Sequence, residues 1–252
     1  MIRVIMHGCN GKMGQVITGL IAGEDSMEIV AGIDPYDGIA NDYPVFKSCA
    51  DCTVDADVII DFSSAAAIDS LLDYIEEKKM PVVLCTTGLS KEQIERVENV
   101  SRNAAVLRSA NMSLGINLLL KLVQNAAKVL YADGFDIEIV ERHHNQKVDA
   151  PSGTAMALAD SINEALNHEL NYVYDRSQVR QKRERNDLGI SAVRGGTIVG
   201  DHDVIFAGTD EVVEIKHTAY SKAVFAKGAV AAARFLAGKP AGHYQMSDVI
   251  QL

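Results

Sequence analysis

The densest chemistry in this chain lies in one run, Glu141-Arg142-His143-His144-Asn145-Gln146-Lys147-Val148-Asp149-Ala150-Pro151-Ser152-Gly153-Thr154. It holds two histidines, two cations and two carboxylates, and a Pro-Ser-Gly-Thr turn leads out of it into a helical pattern. An imidazole donates or accepts a proton near neutral pH. Lys147 supplies a fixed positive charge or a proton. Gly153 and Thr154 fall where a helix would begin, and the free N–H groups of a helix start bind carboxylates. Together these residues make a site for a small polyanion that gains a proton. No HExxH or HxH arrangement is present, and adjacent histidines project in different directions, so no metal is expected here. The bland alternative is a solvated polar loop, which would account for one isolated histidine better than for this cluster.

A second constellation stands near the start. Gly8-Cys9-Asn10-Gly11-Lys12-Met13-Gly14 follows a short apolar run and opens a helical pattern. Gly8 permits a sharp turn, Gly11 lets backbone approach a pyrophosphate, and Gly14 lets the helix pack close to a sheet. The helix start offers N–H groups and a partial positive charge to phosphates. The spacing is GxxGxxG, so the context carries the reading: a strand before, a helix after, and an acid ending the second strand. That acid is Asp34, 20 residues beyond Gly14. A carboxylate there accepts hydrogen bonds from ribose hydroxyls and disfavours a 2′-phosphate. Pro35 follows it, so no arginine reverses the preference, although Lys12 could reach a 2′-phosphate. NADH is therefore the expected cofactor, with NADPH the alternative. The competing reading of Asp34 is a simple turn cap before Pro35. Two further loops, Cys85-Thr86-Thr87-Gly88 and Ser109-Ala110-Asn111-Met112, would open on the same edge of the sheet. They are candidates for the ribose and nicotinamide end, or else ordinary strand–helix connections.

The elements that must position these residues divide the chain in two. Up to Asn111, short apolar runs (Arg3 to Met6, Glu28 to Ile33, Val58 to Phe62, Pro81 to Cys85, Ala105 to Leu107) alternate with helical spacing. That alternation predicts right-handed crossovers and a parallel, Rossmann-like α/β sheet. Ser90 with Gln93 reads as a capping box. Beyond Asn111 the pattern changes. A helix is expected over Leu114 to Leu130, with Leu118, Leu119, Leu122 and Val123 on its apolar side. A half-exposed strand follows at Phe135 to Ile139, then a helix over Thr154 to Leu166 and a charged surface loop over Arg176 to Asp187. Strand-like runs come at Ile190 to Val193, Thr197 to Ala207 and Val212 to Thr218. This half reads as a smaller α+β domain with an open mixed or antiparallel sheet. Residues 1–112 would form the dinucleotide-binding domain, with 222–252 returning to it, and residues 113–221 the substrate-binding and oligomerisation domain.

Bulk properties narrow the class. The net charge is −10 over 252 residues, which argues against nucleic acid as a partner. There is no apolar run of membrane-spanning length. The N-terminus runs straight into the glycine loop without the apolar core of a signal peptide, so a cytoplasmic protein is expected. Cys49 and Cys52 form an isolated CxxC in a polar connection, without the second ligand pair that zinc would need.

The motifs quoted above resemble the 4-hydroxy-tetrahydrodipicolinate reductase (dihydrodipicolinate reductase) family. The resemblance rests on ERHHNQKVDAPSGTA and GCNGKMG. It extends over IIDFS, CTTG, SANMSLGIN, RGGTIVGDHDVIFAG, HTAYSKAVFAKGA and GHYQMSDV, nearly the whole chain. It implies an NADH- or NADPH-dependent reduction of a small cyclic dicarboxylate with loss of water, in the diaminopimelate and lysine pathway. By position it implies His143 as general acid/base, Lys147 as proton donor and anion partner, and His144, Gly153 and Thr154 as substrate ligands. For the cofactor it implies Gly8, Cys9, Asn10, Gly11, Lys12, Met13, Asp34, Cys85, Thr86, Thr87, Ser109, Ala110, Asn111 and Met112. It further implies a homotetramer joined through the C-terminal sheets. Pro35, Cys85 and Met112 depart from the family's commoner basic residue, glycine and aromatic. Two other readings are a different small NAD(P)-dependent dehydrogenase and a non-catalytic nucleotide sensor. The first lacks a convincing cysteine nucleophile, and the second has no need of His143, His144 and Lys147.

Overall fold

The computed structural model describes residues 1–109 and 111–250. Ala110, expected among the cofactor ligands, lies outside the described residues. In chain order the elements are β1 (Ile2–His7), α1 (Lys12–Ile21), β2 (Met27–Ile33), β3 (Val45–Phe46), β4 (Val58–Asp61), α2 (Ile68–Lys78), β5 (Val82–Leu84), α3 (Lys91–Val100), β6 (Ala105–Arg108) and α4 (Leu114–Leu130). Then come β7 (Asp136–His143), α5 (Gly153–Ala165), β8 (Asn171–Val173), β9 (Asp187–Arg194), β10 (Gly200–Ala207), β11 (Val212–Ala219), α6 (Ala223–Leu236), β12 (Gly242–Tyr244) and α7 (Met246–Val249). Two compact units result: Met1–Leu114 with Ala223–Leu252, and Gly115–Lys222. None of the described helices is long and apolar enough to cross a membrane.

The first unit is built on a parallel sheet of order β12-β6-β5-β4-β1-β2-β3. Its central strands are apolar throughout because both faces are covered. Alternate residues enter different cores. Val4, Met6, Val58, Ile60, Val83 and Leu107 pack with Ile17 of α1 and Ala229 and Ala233 of α6. Ile5, Ile59, Val82, Leu84 and Val106 pack with Leu71 and Ile75 of α2 and Val97 of α3. Each aliphatic side chain buried this fully contributes about 1.5–3 kcal/mol. α3 starts at the Ser90–Gln93 capping box read in the sequence. Cys49 and Cys52 lie in the second of these cores, beside a single turn over Cys49–Asp51, so the connection is less polar than its composition suggests.

The second unit carries a mixed sheet of order β11-β10-β7-β9-β8. β10 runs antiparallel to both β7 and β11, and β9 runs parallel to β7 and β8. Helices α4 and α5 cover one face, burying Ile116, Leu119, Val123, Leu158 and Ile162 against Ile137, Ile139, Ile190, Val204 and Phe206. The buried stripe of α4 is rotated from the expected one. It runs through Ile116, Leu119, Val123 and Ala127, while Leu122 is 42% exposed. A leucine-rich helix offers two overlapping stripes, and contact with the sheet selects between them. The strand expected from Thr197 begins at Gly200, because Gly195 and Gly196 extend the turn before it.

Candidate active site

In the second unit, β7 carries the chemistry read from the sequence. Its alternation places Ile137, Ile139, Glu141 and His143 on the buried side, and Glu138, Val140 and Arg142 on the other. Arg142 is therefore removed from the cluster it adjoins in sequence and pairs with Asp203. Glu141 is 0% exposed. An isolated carboxylate cannot stay ionised at such a depth, and here four donors converge on it. Arg194, the last residue of β9, donates to both oxygens at 2.7 Å each. The Ser152 N–H donates to Oε1 at 2.9 Å, and His143 Nδ1 lies 2.7 Å from Oε2. Burial alone would raise the Glu141 carboxyl, but the hydrogen bonds from Arg194, His143 and Ser152 outweigh it and hold it below the usual carboxylate range.

With Nδ1 facing a carboxylate, His143 presents Nε2 as its free ring atom. A Cβ at Gly200 would stand 3.0 Å from that Nε2, so the glycine keeps the approach clear. The His202 ring meets His143 edge-on, 5.1 Å between centroids. Desolvation and the neighbouring His143 push His202 down to about 4, so it adds no second charge. Its Nε2 lies 3.0 Å from Ser152 Oγ, which also caps α5 by accepting the Ala155 N–H.

Between β7 and α5, the loop brings the remaining candidates together. The carbonyl of half-buried His144 accepts the Lys147 N–H at 3.2 Å. Lys147 Nζ lies 2.8 Å from Asp149, whose carboxyl its hydrogen bond holds below the usual range. Gly153 and Thr154 are the first two residues of α5, and a Cβ on Gly153 would meet nothing within 4 Å. The Gly153 N–H already serves a carboxylate, that of Asp149, as the start of a helix can. Residue type and spacing alone give Glu141 no role in the run, and they do not point to Arg194, Ser152, Gly200 or His202. The usable signal was the period of two: Ile137 and Ile139 put Glu141 on the buried face, and a buried carboxylate demands a cation.

In the first unit, Gly8 has φ of +80°, and a Cβ there would stand 2.5 Å from the Phe62 carbonyl. Gly14 packs against the Gly8 and Cys9 carbonyls of the loop itself. Gly11 precedes α1, which has no side-chain cap. The open loop and uncapped helix start fit a dinucleotide pyrophosphate. Asp34 accepts the Asn10 and Tyr36 N–H groups, both at 3.0 Å, which ties the acid to the glycine loop and also makes the turn after Pro35. Lys12 is exposed and Met13 half-buried. Cys9 is buried against Gly32, and burial raises its thiol to about 11, so only its backbone can face a ligand. Thr86 donates to Asp61 at 2.7 Å, and Asp61 also pairs with His7 at 2.8 Å, joining the ends of β1, β4 and β5. Thr87 is exposed, and half-buried Cys85 has its thiol raised by desolvation and by Asp61. Ser109 donates to the Asn111 carbonyl at 3.1 Å. The Met112 side chain is spent on the core.

A family model described as "Dihydrodipicolinate reductase, N-terminus" matches residues 2–112, and one described as "Dihydrodipicolinate reductase, C-terminus" matches residues 115–250. The chain belongs to the dihydrodipicolinate reductase family. A 4-hydroxy-tetrahydrodipicolinate reductase from Clostridium tetani is 52% identical over 250 residues, 99% of this chain and 97% of that one. The protein of the same name from Caldanaerobacter subterraneus is 52% identical over 251 residues, 100% of this chain and 99% of its own. Among solved structures, a dipicolinate-bound dihydrodipicolinate reductase from Paenisporosarcina sp. TG-14 has the same fold. Its TM-score is 0.83 at 24% identity, covering 99% of this chain and 100% of that one. The family thus spans both units, the glycine loop and the histidine run alike.

Proposed function

We propose that this chain reduces 4-hydroxy-tetrahydrodipicolinate to tetrahydrodipicolinate, with release of water, using a nicotinamide dinucleotide. The observation that carries the reading is His143, held by a buried carboxylate at Nδ1 and open at Nε2. The bound cofactor supplies a hydride; the protein must supply a proton and hold a dianion. His143 Nε2 exchanges the proton. Lys147 neutralises a substrate carboxylate and replenishes the proton, exchanging Asp149 for the substrate as its partner. The N–H groups of Gly153 and Thr154 hold one substrate carboxylate, and His144 contacts the substrate beside them. Gly8 to Met13, with the α1 start, receive the pyrophosphate, and Asp34 receives the adenosine ribose. The loops at Cys85 to Thr87 and Ser109 to Met112 serve the ribose and nicotinamide end.

Asp34 followed by Pro35 favours NADH, and exposed Lys12 leaves NADPH usable. The test is coupled turnover: pyruvate and aspartate semialdehyde are condensed enzymatically, this protein is added, and nicotinamide absorbance is followed with each cofactor. Oxidation of NADH at the higher kcat/KM is expected. Failure to oxidise either cofactor overturns the assignment.

A further inference from the structure

Glu141 is an expensive residue to keep. A buried ion pair returns little net stability compared with apolar side chains of similar volume, yet Glu141 follows Ile137 and Ile139 on the buried face of β7, paired with Arg194 and directly before His143 on that face. The arrangement of donors points to another use. Arg194 supplies two of the four and the Ser152 N–H a third, groups that can only donate; the fourth is the His143 ring nitrogen Nδ1. Of these only the imidazole has a choice, because a neutral ring carries its hydrogen on either nitrogen.

We infer that Glu141, kept ionised by Arg194, is a positioning residue that fixes His143 as the Nδ1–H tautomer and so leaves the Nε2 lone pair free for proton transfer. A carboxylate oxygen accepts and cannot donate, so Oε2 at 2.7 Å admits only a hydrogen-bearing Nδ1. Arg194 spans both oxygens and prevents the carboxylate from turning away. The Ser152 N–H on Oε1 connects this clamp to the start of α5, where the substrate carboxylate is expected. The inference rests on the reductase reading for its catalytic consequence, but the tautomer itself is a property of the unliganded chain.

The test is E141Q in protein labelled with 15N-histidine, with His143 assigned by comparison with H143Q. In the wild type at a pH where the ring is neutral, the 15N shifts should report Nδ1–H. In E141Q the amide can turn its NH2 toward the ring, which then accepts at Nδ1 and carries its hydrogen on Nε2. The expected result is the Nε2–H signature. With it should come a fall in kcat on the order of 10²- to 10⁴-fold, with KM and NADH binding little changed. If E141Q does not fold, E141Q/R194Q removes both charges together and should give the same tautomer change. Retention of the Nδ1–H signature in the folded single or double variant overturns the inference, even where loss of the salt bridge lowers Tm. Should the wild type show no coupled turnover while the tautomer still switches, the reductase reading fails and the role of Glu141 stands.

Discussion

His202 stays uncharged because it is buried beside His143, and that silence has a cost in acid. Its ordinary value of 6.5 falls to about 4 in the fold. Between those values only the unfolded chain takes up the proton. Stability is therefore complete above pH 6.5, falls as pH drops toward 4, and loses nothing more from this group below that. From pH 7.5 to pH 5 the loss is about 2 kcal/mol. Urea denaturation at both pH values should show it, and H202Q should show a smaller pH difference than the wild type. Equal differences would remove His202 as the source. Lys147 invites a test of a different kind. K147A strips the proton supply and also leaves Asp149 unpaired beside an anionic substrate, so kcat should fall and KM should rise. K147A/D149N removes the repulsion as well. It should regain part of KM and none of kcat, and steady-state kinetics separate the two.

Helix α1 begins on a loop whose carbonyls touch it. A Cβ on Gly14 would collide with the Gly8 carbonyl and stand 2.6 Å from that of Cys9. Backbone does not yield as a flexible side chain does, so G14A should push α1 off the glycine loop, at about 1–3 kcal/mol. Fluorescence titration with NADH should show weakened binding, while the circular dichroism spectrum stays that of a folded α/β protein. Wild-type affinity in G14A would show that the loop can shift without consequence. Much of this architecture was legible beforehand. Strand–helix alternation to Asn111 announced the parallel sheet, Ser90 with Gln93 marked the start of α3, and the bounds of α4 were read to the residue. The edge strands β3, β8 and β12 were not, because two or three residues have no period to read. Nor were the pairs His7–Asp61 and Glu141–Arg194, separated by 54 and 53 positions. Local spacing shows that a buried acid needs a partner, and only topology says which. The histidine run itself was legible because loop and helix start are contiguous, whereas its support comes from two other strands.

Taken as a body, the protein carries a net charge of −10 and is expected to bind a dianion. In the second unit Arg194 is committed to Glu141 and Lys147 to Asp149, so the start of α5 and the release of Lys147 from Asp149 must supply the attraction. The opposite face poses its own question. Val140, Val193 and Ile205 point there by strand register, and Val193 is 44% exposed. Around them Arg142 pairs with Asp203, Lys216 lies 3.6 Å from the same carboxylate, and Asp201 and Glu214 share the face by register. A partly apolar sheet face suits association with further copies of the chain, its charged groups lying around the apolar positions as they do at the rim of an interface. The resemblance to the reductase family implies a homotetramer joined through such sheets. Light scattering on the eluting protein should then give a mass close to four times 27.2 kDa. V193E would bury a carboxylate in each copy of that interface and should yield a smaller species at the same concentration. A wild type running at 27.2 kDa refutes the tetramer. A V193E variant still running as four chains refutes this face as its seam.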